Sequence, residues 1–182
     1  SSPQFEIQSL IEFNSELPLI RSSLNNDQTL IPRVSLRINP SDMKNHTEDK
    51  REISTDNIFN INRLGIDDSL ESGNSLTFGI NYRSENKQDD NKFLDLKLAT
   101  VLRDEVEDNI PTQTTLNKKN SNIFGSISNN FSENLNLSYN FAIDNDLSRL
   151  EYNDINTTIK LKNFVTSFNY FKELGEMGDS NY

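Results

Sequence analysis

The stretch NLNLSYNFAID (Asn134–Asp144) places Leu135, Leu137, Tyr139, Phe141 and Ile143 on one side and Asn136, Ser138, Asn140, Ala142 and Asp144 on the other. Alternation with period 2 is the signature of a β-strand, because successive side chains point to opposite faces. SLTFGINYR repeats it with Leu76, Phe78, Ile80 and Tyr82 opposite Thr77, Gly79, Asn81 and Arg83. KFLDLKLATVLR does so with Leu94, Leu96, Leu98 and Leu102 opposite Asp95, Lys97, Ala99 and Arg103. The second face carries full charges. Charges are costly against lipid or in a dry core, and unremarkable in a wet lumen.

Strands are expected over about 75–84, 92–103, 121–131, 134–144, 149–161 and 163–172. Earlier, FEIQSLIEF alternates through Phe5, Ile7, Ile11 and Phe13, and the run from Pro32 alternates through Val34, Leu36 and Ile38. Near 150–155 the phase slips from Leu150 and Tyr152 to Ile155 and Ile159, as a bulge would produce. Most candidates have about 9–12 residues, close to the ~9–11 of a tilted membrane-spanning strand and longer than the usual ~5–6 of soluble sheets.

In an up-and-down meander, alternate connections share a side. One side receives 41–74, 104–120, 145–148 and the tail from 173; the other receives 85–91, 132–133 and 162. Long loops on one side and short turns on the other are the habit of outer-membrane barrels. A polar interior also accounts for 33% hydrophobic residues and a mean hydropathy of −0.70. The residues alone leave three arrangements open: a specialised outer-membrane barrel, another porin-like outer-membrane channel, or a soluble β-sandwich binding module.

Chemistry is sparse. A net charge of −10 argues against nucleic-acid binding, and most of the acid reads as solvated loop surface. Without Cys there is neither disulfide nor thiolate site in this chain. His46, the single histidine, reads as a solvated loop residue. Asp144 and Asp146 read as an acidic turn rather than a cation loop, lacking the usual glycine and closing Glu. No P-loop, GxSxG or dinucleotide motif occurs. No catalytic, cofactor-binding or metal residue is therefore expected. No apolar run reaches the ~20 residues of a transmembrane helix. The opening SSPQFEIQ and the close GDSNY read as a piece of a longer protein. Tyr82, Phe93, Phe131 and Tyr170 near strand ends suit either an interfacial girdle or packing.

The segment SELPLIRSSLNNDQTLIPRVSLRINP, followed by STDNIFNINRLGIDDSLESGNSLTFGINYR, resembles the LptD family, outer-membrane translocons for lipopolysaccharide. The stretch 56–82 carries the resemblance through Asn57, Phe59, Asn62, Arg63, Gly65, Asp67, Glu71, Gly73, Thr77 and Gly79. It departs at Leu64, where an aromatic is usual, and at Asp68, where a basic residue is common. The resemblance implies an all-β antiparallel meander within a large transmembrane barrel of the Gram-negative cell outer membrane. Residues 1–182 would be part of the C-terminal barrel domain, with a long extracellular loop at about 41–74. It implies insertion of lipopolysaccharide into the outer leaflet, an LptE-like plug lipoprotein and an LptA-like periplasmic bridge as partners, contact with outer-membrane lipid, and no cofactor. In the loop, Phe59, Ile61 and Leu64 are expected to anchor on the barrel wall, and Arg63 to pair with Asp67 or a wall carboxylate.

Overall fold

A computed structural model describes residues 7–132, 134–175 and 178–181. The strands are β1 (Ile11–Glu16), β2 (Leu19–Ser22), β3 (Asn26–Asn39), β4 (Gly73–Asn86), β5 (Asp89–Arg103), β6 (Ile123–Ser132), β7 (Leu135–Ile143), β8 (Leu150–Leu161), β9 (Phe164–Gly175) and β10 (Gly178–Asn181). They form one antiparallel sheet in the order β1-β3-β4-β5-β6-β7-β8-β9-β10, with β2 also on β3. From β3 onward this is the expected meander. β1 and β2 pair with β3 without any offset, from Ile11↔Ile38 to Ser22↔Asp27. They are one strand interrupted at Leu17–Pro18, because Pro18 has no N–H to give the ladder.

The connections sort as expected. Segments 40–72, 104–122 and 144–149 leave one end of the sheet, here the long-loop end; the turns 87–88 and 162–163 close the other. Two details differ from the sequence reading, and a third, Phe5, falls where the two cannot be compared. The β4–β5 connection is only two residues, because both strands run further than their apolar alternation. The tail from 173 is not loop: β9 continues to Gly175 and β10 pairs back onto it. Phe5 lies outside the described residues. The phase slip does appear, as a register shift that leaves Glu151 unopposed between Ala142↔Tyr152 and Ile143↔Leu150.

Register assembles the two faces row by row. One row crosses the sheet as Leu19, Leu30, Tyr82, Leu96, Ile127, Tyr139, Ile155 and Tyr170. The next row, on the opposite face, is Thr29, Arg83, Asp95, Ser128, Ser138, Asn156 and Asn169. Side chains of the apolar face lie open: Leu36 is 39% exposed, Phe78 43%, Leu98 44% and Phe168 62%. Of the proposed girdle, Tyr82 and Tyr170 are on this face. Phe93 is on the other, beneath the Arg83 guanidinium at 4.4 Å. The Phe131 side chain lies outside the described residues.

The apolar band does not run straight along the rows. On β3 it spans Leu30–Ile38, on the long-loop side of the Leu30–Tyr170 row; on β9 it spans Phe164–Tyr170, on the short-turn side, with polar Lys172 beyond. Its centre drifts by about seven residues over six strand steps. With about 3.3 Å per residue and about 4.8 Å between strands, that drift corresponds to strands tilted about 40° from the normal to the band.

Candidate functional site

The polar face has two halves. Toward the short turns it is bare. Toward the long-loop end it is covered by segments 40–72 and 104–122, which fold back over it. Where they land, the face has apolar and small residues. Gly79, Ala99, Phe124, Ala142 and Tyr152 form one row, and Val101 lies above it. Met43, Ile53, Ile58, Leu64 and Ile66 of the first segment and Ile110 and Leu116 of the second join them in one buried cluster. The segments also bind each other: Thr47 Oγ1 donates to Asp108 O at 2.8 Å, His46 N to Asn109 O at 2.9 Å, and Ser72 Oγ to Glu107 at 2.5 Å.

At the centre stands Glu71. Arg63 grips its carboxylate in bidentate fashion, Nε at 2.7 Å and Nη2 at 2.5 Å. Arg103 from β5 donates to it at 2.6 Å, and Arg37 from β3 stands 3.5 Å away. Arg37 also pairs with Glu12 of β1 at 2.6 Å. These five side chains are between 0% and 7% exposed. Arg63 further donates to Thr77 Oγ1 (2.8 Å) and Ser75 Oγ (3.1 Å) on β4. Arg37 donates to Asn60 O, and Arg103 to Ser72 O. Burial alone would push the Glu71 carboxyl up; the fields of Arg63, Arg103 and Arg37 outweigh it and hold it at about 2.

A family model described as "LptD: LPS transport system D" matches residues 1–178. The chain belongs to the LptD family. No individual curated protein matches it. LptD is a family of outer-membrane β-barrel proteins of lipopolysaccharide transport, and this all-β meander is an LptD barrel segment. In a barrel of that family a polar face of this kind is the lumen side and an apolar band the lipid side.

The residues of the LptD-like stretch fall into place around this loop. Asn57 and Asn62 shape its backbone: Asn57 Nδ2 donates to Glu52 O at 2.9 Å, and Asn62 Nδ2 to Ile66 O at 2.9 Å. The Phe59 ring lies on Gly79, where a Cβ would stand only 2.6 Å from Cζ, and Arg33 stacks on the ring at 4.2 Å. Gly65 and Gly73 have φ of +62° and +77°, a conformation that favours glycine. At Gly73 a Cβ would also meet Arg103 Nη2 at 2.8 Å. Asp67 is exposed.

Several expectations need correction. Arg63 pairs with Glu71 of its own loop and with wall hydroxyls, not with Asp67, because it points into the wall while Asp67 faces solvent. Leu64 is buried and Phe59 packed, but Ile61 is 61% exposed and anchors nothing. Arg103 is not wetted, since both loops bury it. Asp144 lies past the end of β7 and closes the 144–149 turn, accepting from the Ser148 hydroxyl and from Ser148 N and Arg149 N; the Ser148 hydroxyl first, and then the backbone donors, hold its carboxyl below the usual range. His46 is not solvated: its ring is packed between Asp49 (3.0 Å) and Asp68 (3.3 Å). Sequence reasoning missed Arg37, Glu12 and the second loop. The signal available for Arg37 was an arginine on the polar side of a strand beside Ser35.

Proposed function

We propose that this chain forms an arc of an LptD barrel through which lipopolysaccharide is inserted into the outer leaflet of the cell outer membrane. Residues 1–182 are then part of the C-terminal barrel domain. The long-loop end is extracellular, with the connection at about 41–74 as its largest loop. The observation that carries this reading is the drift of the apolar band. An arc of about 40° tilt, open on its apolar face, is what a closed barrel in lipid requires, where strands tilt about 35–45°; a soluble sandwich would bury that face under a second sheet.

The barrel makes and breaks no bond in this reading. Its task is to keep a charged saccharide in a polar passage while acyl chains stay with lipid. The bare half of the lumen face suits the saccharide, with Thr29, Ser128, Ser138, Asn156 and Asn169 offering neutral hydrogen-bonding groups and Arg83 and Asp95 a paired charge at 3.2 Å. An LptE-like plug and an LptA-like bridge are the partners that this role calls for. Depletion of the full-length protein is expected to stop lipopolysaccharide from reaching the cell surface, scored by surface labelling. Undiminished surface lipopolysaccharide after depletion would reject the proposal.

A further inference from the structure

Arg21 is a charge on the apolar side of the sheet. It follows Leu19 on that face of β2 and stands one row further toward the short turns, beside Gln28 of β3 and Ser84 of β4. It is exposed, and its guanidinium has neither a hydrogen-bond nor an ion-pair partner among the described residues. The other strand arginines, Arg33, Arg37, Arg83 and Arg103, sit on the polar face, and each meets a carboxylate. A hollow of about 260 Å³ lies between Leu19, Arg21, Gln28, Leu30 and Tyr82. A second, of about 310 Å³, shares Tyr82 and continues along Ser84, Asn86 and Lys92. Their linings hold two cations and no carboxylate, in a chain whose net charge is −10. Lys92 already meets Asp89 at 3.1 Å, so Arg21 is the cation left available.

We propose that the first hollow seats a glycerophospholipid of the periplasmic leaflet, with its phosphate on Arg21 and an acyl chain along Leu19 and Leu30. The inference rests on the barrel reading above, which makes the apolar face the lipid side and the short-turn end periplasmic. A charge on the lipid face is costly at the bilayer midplane and nearly neutral at the interface. Arg21 stands at that interface, because the apolar band of β3 ends at Leu30 and Gln28 is already polar. A guanidinium presents a planar fork of donors that matches phosphate oxygens. The Gln28 amide beside it adds donors and an acceptor for the phosphate and glycerol oxygens. Tyr82, with an apolar ring and a polar tip, suits the same depth. On the membrane side of Arg21, Leu19 is 47% exposed and offers apolar surface to a chain. A free phosphate would use the cation and leave the leucines unused; a phospholipid uses both.

The experiment uses the full-length protein, purified in its native complex and stripped of lipid. It is titrated with dioleoyl phosphatidylglycerol, and retained lipid is read by native mass spectrometry. The wild type is expected to keep a tightly held lipid after the loosely held ones are removed. R21Q weakens that binding about tenfold and R21K about threefold, since an ammonium keeps the charge and loses the fork. R149Q, the same loss of charge at the long-loop end, leaves it unchanged. Dioleoylglycerol, with the same chains and no phosphate, binds the wild type and R21Q alike. Equal retention by the wild type and R21Q, or an equal loss in R21Q and R149Q, would overturn the site. Displacement of the lipid by millimolar inorganic phosphate would make it a free-phosphate site and overturn the lipid assignment. Should R21Q not assemble, R21K decides, and unchanged retention there overturns the site. Failure of the barrel reading looks different: the wild type then retains neither the phospholipid nor dioleoylglycerol. None of these readouts depends on surface lipopolysaccharide, so the lipid site and the transport reading fail separately.

Discussion

The two halves of the lumen face share strands, register and alternation, yet they are built differently. Along β5, Asp95 and Lys97 stand on the bare half, while Ala99, Val101 and Arg103 stand under the loops. Lys97 is 31% exposed at its side chain and meets only the loop's tip, at Asp56; Val101 is 0% exposed. The difference teaches that the polar face of such a strand is not one environment. It reads as lumen where water reaches it and as protein core where a loop returns. The charge that remains in the core half, Arg103, survives there because Glu71 meets it.

The contrast is broken most severely by a charge placed under the loops. Val101→Asp is expected to destabilise the folded barrel by about 4 kcal/mol or more, having no counter-charge in the apolar cluster. Ser138→Asp on the bare half should change stability by no more than about 0.5 kcal/mol. Unfolding of the micelle-bound proteins by urea measures both, and equal effects would erase the distinction.

Acid is expected to act most strongly on the covered half, where the Glu71 carboxyl is buried among cations. The Glu71 carboxyl titrates at about 2 in the folded protein against an ordinary value of 4.5. Its folded pKa is depressed, so its contribution is complete above about pH 4.5 and is lost as the pH falls through about 2. The contribution is of the order of 3 kcal/mol. Hydrogen exchange of residues 58–72, corrected for intrinsic rate, should accelerate across that window in the wild type and much less in E71Q, where the exposed Lys44–Asp68 pair is what acid still breaks.

A smaller effect tests the close approach at the edge of the covered half. Gly79→Ala sets a methyl 2.6 Å from the Phe59 ring and is expected to cost about 1–3 kcal/mol by overpacking. Phe59→Leu in the same background should recover part of it, which a double-mutant cycle reads directly. The smallest effect belongs to the bare half. Arg83→Gln removes ion pairs to Glu85 and Asp95 from a side chain that is 42% exposed; a loss below about 1 kcal/mol is expected, shrinking further in salt.

What was legible in the sequence follows the same division. Leu135–Ile143 and Leu76–Tyr82 declare their faces because alternation is a local property. The slip at 150–155 is equally local, and it is the Glu151 bulge. Arg103 announced its face but not its surroundings: its burial depends on Glu71, 32 residues away, and on a second loop that carries no alternation. Arg37 and Glu12 meet only through the β1–β3 register. His46 looked solvated because its polar neighbours in sequence, Asn45 and Thr47, are not its neighbours in space, which are Asp49, Asp68 and the carbonyl of Asn109. Strand ends such as Asn26 and Asn86 were invisible for a simpler reason: beyond the apolar band, both faces are polar.

The central claim is that one strand of this sheet meets lipid, lumen water and protein by turns. Nitroxide labels placed singly from Leu94 to Leu102 in the full-length, membrane-inserted protein test it most directly. The account predicts that labels at Leu94, Leu96, Leu98 and Leu102 collide with oxygen, those at Asp95 and Lys97 with a water-soluble nickel chelate, and those at Ala99 and Val101 with neither. A Leu row as open to the nickel chelate as Asp95 would contradict it.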